Sequence, residues 1–99
     1  MYRKIYIDME TKIADVVISR NGRDKDKLFI IIGKDDDYSL LVDGKGRKLE
    51  KPKRKKNKHI KPEGIIDARL AKKLISGEKV TNNEVRRALA EYAEKRKEI

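Results

Sequence analysis

The run Lys51-Pro52-Lys53-Arg54-Lys55-Lys56-Asn57-Lys58-His59 packs six fixed positive charges and the only histidine of the chain into nine residues. Ammonium and guanidinium groups at that density suit one chemistry above others, the capture of phosphates with release of their condensed counterions. The run sits in a wider block: residues 45–61 hold 10 basic side chains and one acid, Glu50. Residues 1–44 hold 8 basic and 9 acidic side chains and residues 62–99 hold 9 and 7, so nearly all of the +10 charge of the 99 residues lies in that block. A polyanion partner follows, nucleic acid first and an anionic membrane a weaker second. Lys45, Arg47, Lys51, Lys53, Arg54, Lys55, Lys56, Lys58 and His59 are the candidate contacts. Phe29 and Tyr38 fall at strand positions expected to be core, so the run has no interleaved aromatics, which points to backbone and shape recognition of folded RNA.

Other chemistries find few residues. Without cysteine there is no thiolate zinc site, iron-sulfur site, thiol nucleophile or disulfide scaffold. A lone His59 has no second imidazole to pair with, so it reads as a strand or RNA-contact residue. Asp35-Asp36-Asp37 lacks the following Gly and Glu of an EF-hand loop and reads as an exposed turn. Gly44-Lys45-Gly46 is too short for a phosphate-binding loop and, following Asp43, reads as a hairpin turn. No catalytic residue, metal site, cofactor or small-molecule substrate is expected.

A second candidate is the loop around Gly22, whose glycine permits positive φ or a close backbone approach. Arg20, Arg23, Lys25 and Lys27 alternate there with Asp24 and Asp26, which leaves the loop nearly neutral. Arg23 stands out because a planar guanidinium can bind phosphate bidentately and stack on a base, and Asp24 is read as orienting it.

These residues need elements to hold them. Val16-Val17-Ile18, Leu28 to Ile32 and Tyr38 to Val42 are short β-branched or aromatic runs separated by turn-forming clusters, which predicts three strands in a meander. A polar fourth strand is expected at Arg47 to Lys51, closed by Pro52, and a short fifth at His59-Ile60-Lys61. Five such strands suit a small closed barrel. The pattern breaks near Pro62-Glu63-Gly64. Ile66, Leu70 and Leu74, with Ala71 and Ile75, then predict a helix ending at Ser76-Gly77. Thr81-Asn82-Asn83-Glu84 is a capping box that opens a second helix with Val85, Ala88, Leu89, Tyr92 and Ala93 on its apolar face. The two helices are expected to form a hairpin packed against each other or on the barrel, the barrel being favoured because two short helices bury too little between themselves. Near the N-terminus Ile5, Ile7 and Ile13 suggest an added strand or short helix.

The stretch from Asp15 to Ile32, with its Asn21-Gly22-Arg23-Asp24 centre, resembles a KOW motif of the kind found in large-subunit ribosomal proteins of archaea and eukaryotes, and looks closest to small bacterial KOW-domain RNA-binding proteins. The resemblance continues through Tyr38 to Val42 and Lys53 to Ile60, covering about residues 13–61. One position departs from it: the family carries a second glycine four residues after Gly22, where this chain has Asp26. The resemblance implies an SH3-like barrel over residues 13–61, after an extension at residues 1–12 and before a helical extension at residues 62–99, giving an α+β protein. It also implies non-catalytic binding of RNA, ribosomal RNA on the large subunit, by a translation or assembly factor. Two alternatives accompany it: a transcription-associated KOW module on RNA polymerase, and a helix-turn-helix DNA binder using the second helix, whose Glu91, Glu94 and Glu98 would repel phosphates.

The length suits one small domain without a large substrate cavity. No apolar run approaches the roughly 18 residues that span a bilayer, and the opening residues lack the apolar stretch of a signal peptide, so a cytoplasmic location is expected.

Overall fold

Apolar side chains that alternate along each strand point to opposite faces, and here both faces are used. Val16, Ile30 and Val42 are buried in one cluster, whereas Val17, Phe29, Ile31, Leu41 and Ile60 are buried in another. The computed structural model, which describes residues 11–97, arranges the chain as a five-stranded antiparallel sheet followed by two helices, an α+β fold. The strands are β1 (Asp15–Ser19), β2 (Leu28–Lys34), β3 (Tyr38–Val42), β4 (Lys53–Lys56) and β5 (Ile60–Ile66), in the spatial order β4-β3-β2-β1-β5. The strand or helix expected around Ile5 and Ile7 lies outside the described residues. Among the described residues no helix is long and apolar enough to cross a membrane.

β4 and β5 are the two edges of this sheet, yet only the single 3-10 turn Asn57–His59 separates them in the chain. Four residue steps reach at most about 14 Å, while five flat strands would hold the edges about 19 Å apart. The sheet must therefore curl, and the curl encloses the Phe29 cluster. Two irregularities bend it. Glu63, Gly64 and Ile65 stand opposite Val16 alone, with Gly64 at φ 79°, and a second register shift falls between Ile31 and Gly33. The edges do not pair with each other, so the sheet is open and not a closed barrel.

Two sequence expectations need correction here. The fourth strand is Lys53–Lys56, not Arg47 to Lys51, because Leu49 N–H donates to Asn82 Oδ1 (2.8 Å) and Glu50 accepts from Asn82 Nδ2 (2.9 Å), which commits that segment to the second helix. The fifth strand starts after His59 and runs to Ile66, through Pro62-Glu63-Gly64; on an edge strand the missing proline N–H disturbs no ladder.

Helix α1 (Ala68–Ser76) starts at Asp67, whose Oδ1 accepts from Leu70 N–H, and ends on Gly77 at φ 77°. Ile66 thus belongs to β5, not to a helical stripe, and Ile75 is 78 % exposed. Helix α2 (Asn82–Lys97) opens on a reciprocal capping box, with Thr81 N–H on Glu84 Oε1 (3.0 Å) and Glu84 N–H on Thr81 Oγ1 (3.2 Å). Leu70, Val85, Ala88 and Leu89 join the Val16 cluster, so the helices cover the outer face of the sheet. Burying Val85 and Leu89 contributes about 1.5–3 kcal/mol each, more than the roughly 1 kcal/mol of a cap; packing therefore dominates the docking. Tyr92 adds a polar tie, its hydroxyl donating to Glu63 Oε1 (2.9 Å) on β5.

Gly44 marks a close backbone approach in this docking. At φ 79° it has no room for a side chain: a Cβ would lie 2.5 Å from the Asn82 carbonyl oxygen, and its own carbonyl accepts from Arg86 Nη1 at 2.6 Å. Gly44→Ala is expected to destabilise the protein by at least about 2 kcal/mol, from left-handed strain plus displacement of the α2 N-terminus. Gly46→Ala, with nothing within 4 Å, should stay within about 0.5 kcal/mol. Urea melts of the two variants check the contrast.

Candidate nucleic-acid interface

The β1–β2 connection folds back on itself before it meets the basic strand. Ser19 N–H donates to Lys27 O (3.1 Å) and Asp26 N–H to Ser19 O (2.8 Å), so Asp26 and Lys27 face one residue across the hairpin, with Asp26 at φ 71°. This is a bulge that glycine ordinarily fills and that aspartate tolerates. Gly22, at φ 81°, bends the tip towards β4.

The curl of the sheet then joins this loop to the far edge. Arg20 N–H donates to His59 O (2.8 Å), Asn21 Nδ2 to His59 Nδ1 (3.0 Å), and Lys55 Nζ to Asn21 O (2.9 Å). Lys55 Nζ also lies 3.6 Å from the place a Gly22 Cβ would take. Arg20, Gly22, Lys55 and His59 thus share one surface. Asp24 does not serve Arg23. Its carboxylate, 11 % exposed, lies 3.8 Å from Arg47 and 3.6 Å from Lys53, so it offsets two of the candidate phosphate ligands.

Alternation divides β4 into two functions. Lys53 and Lys55 pair with Leu41 and Ser39 and turn to the loop side, where Asp24 and the Asn21 carbonyl hold them. Arg54 and Lys56 pair with Leu40 and Tyr38 and project outward. Arg23, Lys25, Lys56 and Lys58 are exposed, and among the described residues none of them makes an ion pair. Lys45 and Lys51 are also exposed but belong to the segment docked on α2, and no described hydrogen bond joins them to the Gly22 loop. Lys61, exposed on β5 opposite Ile18, extends the surface beyond the residues singled out from sequence, although strand alternation next to His59 was a signal for it.

Tyr38 is a further correction. It is half-buried, not core, and the Arg54 guanidinium lies 3.5 Å from its ring centroid while Arg54 Nη2 reaches Asp35 Oδ2 at 3.4 Å. The 3-10 turn is anchored beside it: Ser39 Oγ donates to Asn57 Oδ1 (2.6 Å), and Asn57 N–H to Asp37 O (2.8 Å). The three aspartates form the β2–β3 turn, in which Tyr38 N–H donates to Asp35 Oδ1.

His59 is the titratable member of the surface. Accepting from Asn21 leaves its proton on Nε2, and desolvation, followed by the charges of Lys58, Lys55 and Lys56, holds its pKa below the ordinary 6.5. As pH falls below 6.5 the unfolded chain takes up more protons than the folded one. Stability therefore declines in that direction and levels off below the folded-state pKa. Melts of the protein and of His59→Gln from about pH 8 to about pH 5 should diverge below 6.5, with the variant losing less; parallel curves would exclude this role for His59. Neither a family model nor any of the curated proteins compared matches this chain.

Proposed function

We propose that this protein binds structured RNA without catalysis, as an SH3-like, KOW-type barrel with a helical extension, and that its partner is ribosomal RNA on the large subunit. The observation that carries the reading is the joining of the basic strand and its 3-10 turn to the Gly22 loop, so that most of the chain's excess charge shares one edge. The strand order, with β5 beside β1 and the sheet curled on the Phe29 cluster, supports the barrel reading. The role is that of a translation or assembly factor in the cytoplasm. The DNA alternative has less support, since α2 gives Val85, Ala88 and Leu89 to the sheet and mixes Glu91 and Glu94 with Arg87 and Lys95 outside.

Sorting the cations sharpens the test. Arg23, Lys56 and Lys58 are exposed and hold no ion pair among the described residues, so their removal leaves the fold intact. If about 5 phosphates are met, log K against log salt should slope by about -3.5 to -4.5. The triple replacement Arg23→Ser, Lys56→Ser, Lys58→Ser should flatten that slope by about 2 to 3. Unchanged affinity for a folded RNA would sink the assignment.

Location provides a separate check. In sucrose gradients of cell extract the protein should migrate with the large ribosomal subunit and leave it at high salt, as an electrostatically held factor does. Migration with RNA polymerase and none with the subunit would favour the transcription alternative.

A further inference from the structure

Arg54 differs from Arg23, Lys56 and Lys58 because its charge is already engaged. Asp35 Oδ2 lies 3.4 Å from Nη2, so a phosphate arriving at that edge of the guanidinium would meet a carboxylate. One face of the guanidinium is engaged, by the Tyr38 ring at 3.5 Å, and among the described residues the side chain remains 56 % exposed. What Arg54 offers a ligand is a held, planar π-surface more than a free charge.

The surroundings fit one nucleotide. Lys56 is in register with Tyr38 on the same outward face, and Arg54 is its neighbour two residues back. Lys58 follows in the 3-10 turn, and both lysines are exposed and line a shallow cleft with Asp36, Asp37 and Asn57. The helices cover the other end of this face, around Val42, and among the described residues they leave the Tyr38 end uncovered. We propose that Arg54 and Tyr38 form a stacking platform for one unpaired nucleobase, with Lys56 and Lys58 holding its flanking phosphates. Guanidinium planes and aromatic rings are the groups on which splayed RNA bases stack. Because tyrosine and aspartate already hold the arginine, little side-chain freedom is lost on binding.

The inference rests on the RNA-binding reading, and the experiment separates the two. Two RNA hairpins are compared, identical except that one carries a single bulged 2-aminopurine. The protein should bind the bulged hairpin about tenfold more tightly and quench its fluorescence, the scale expected of one stacked base. Arg54→Lys keeps the charge and removes the plane, so it should abolish the preference and the quenching and weaken the bulged hairpin far more than the paired one. Tyr38→Leu, which keeps apolar cover over the strand, should do the same. Equal binding of the two hairpins by the unaltered protein, or an equal loss on both with Arg54→Lys, would overturn the platform and leave the electrostatic grip standing. Failure to bind either hairpin would refute the RNA reading and the platform with it.

Discussion

The chain crosses from one edge of its sheet to the other in a single 3-10 turn, Asn57–His59, and much of the architecture follows from that short span. A flat sheet cannot satisfy it. Once the sheet curls, the concave side is dry and takes Phe29, Ile31 and Leu41, and the convex side is left apolar as well, since Val16, Ile30 and Val42 alternate with them. The helices answer that second requirement. They are the cover of a face that a five-stranded sheet of this size cannot hide by itself, and Leu70, Val85 and Leu89 supply the apolar contacts.

The same curl solves an electrostatic problem. Lys53-Arg54-Lys55-Lys56 is a poor strand by propensity and repels itself, yet it pairs along Tyr38 to Leu41. Alternation sends successive charges to opposite faces, and each face then meets something that offsets part of the charge. On the loop side these are Asp24 and the Asn21 carbonyl; on the outer side they are Asp35 and the Tyr38 ring. The strand is thus stabilised by the loop beside it. Partial neutralisation leaves Lys56 and Lys58 with the charge that remains.

How much of this was legible depended on whether the signal was local. β1 to β3, the capping box at Thr81 and the helix stop at Gly77 are written in adjacent residues, and sequence reading found them. The fourth strand was missed because Leu49 and Glu50 answer to Asn82, 32 or more residues away, and nothing near them says so. Pro62 and Gly64 look like a boundary until β5 is known to be an edge with a bulge. The candidate cations were legible as a set, but not their division. Asp24 is adjacent to Arg23 in sequence and serves Arg47 and Lys53 in space, a choice fixed by the curl. Tyr38 was assigned to the core because its strand was; its place at the open end of that strand makes it a surface residue.

Asp26 shows how backbone and charge requirements separate at one position. The position stands in the bulge opposite Ser19 at φ 71°, a conformation that glycine adopts without strain. Aspartate accepts this conformation more readily than most residues, at a strain of about 1 kcal/mol, so the hairpin forms without the glycine. Its carboxylate nevertheless remains exposed beside Lys25 and Lys27. With Asp24 already committed to Arg47 and Lys53, the loop presents little net charge of its own. The loop therefore acts mainly by position, holding Lys55 and His59 through Asn21, and the concentrated positive charge lies on the strand and turn that it orders.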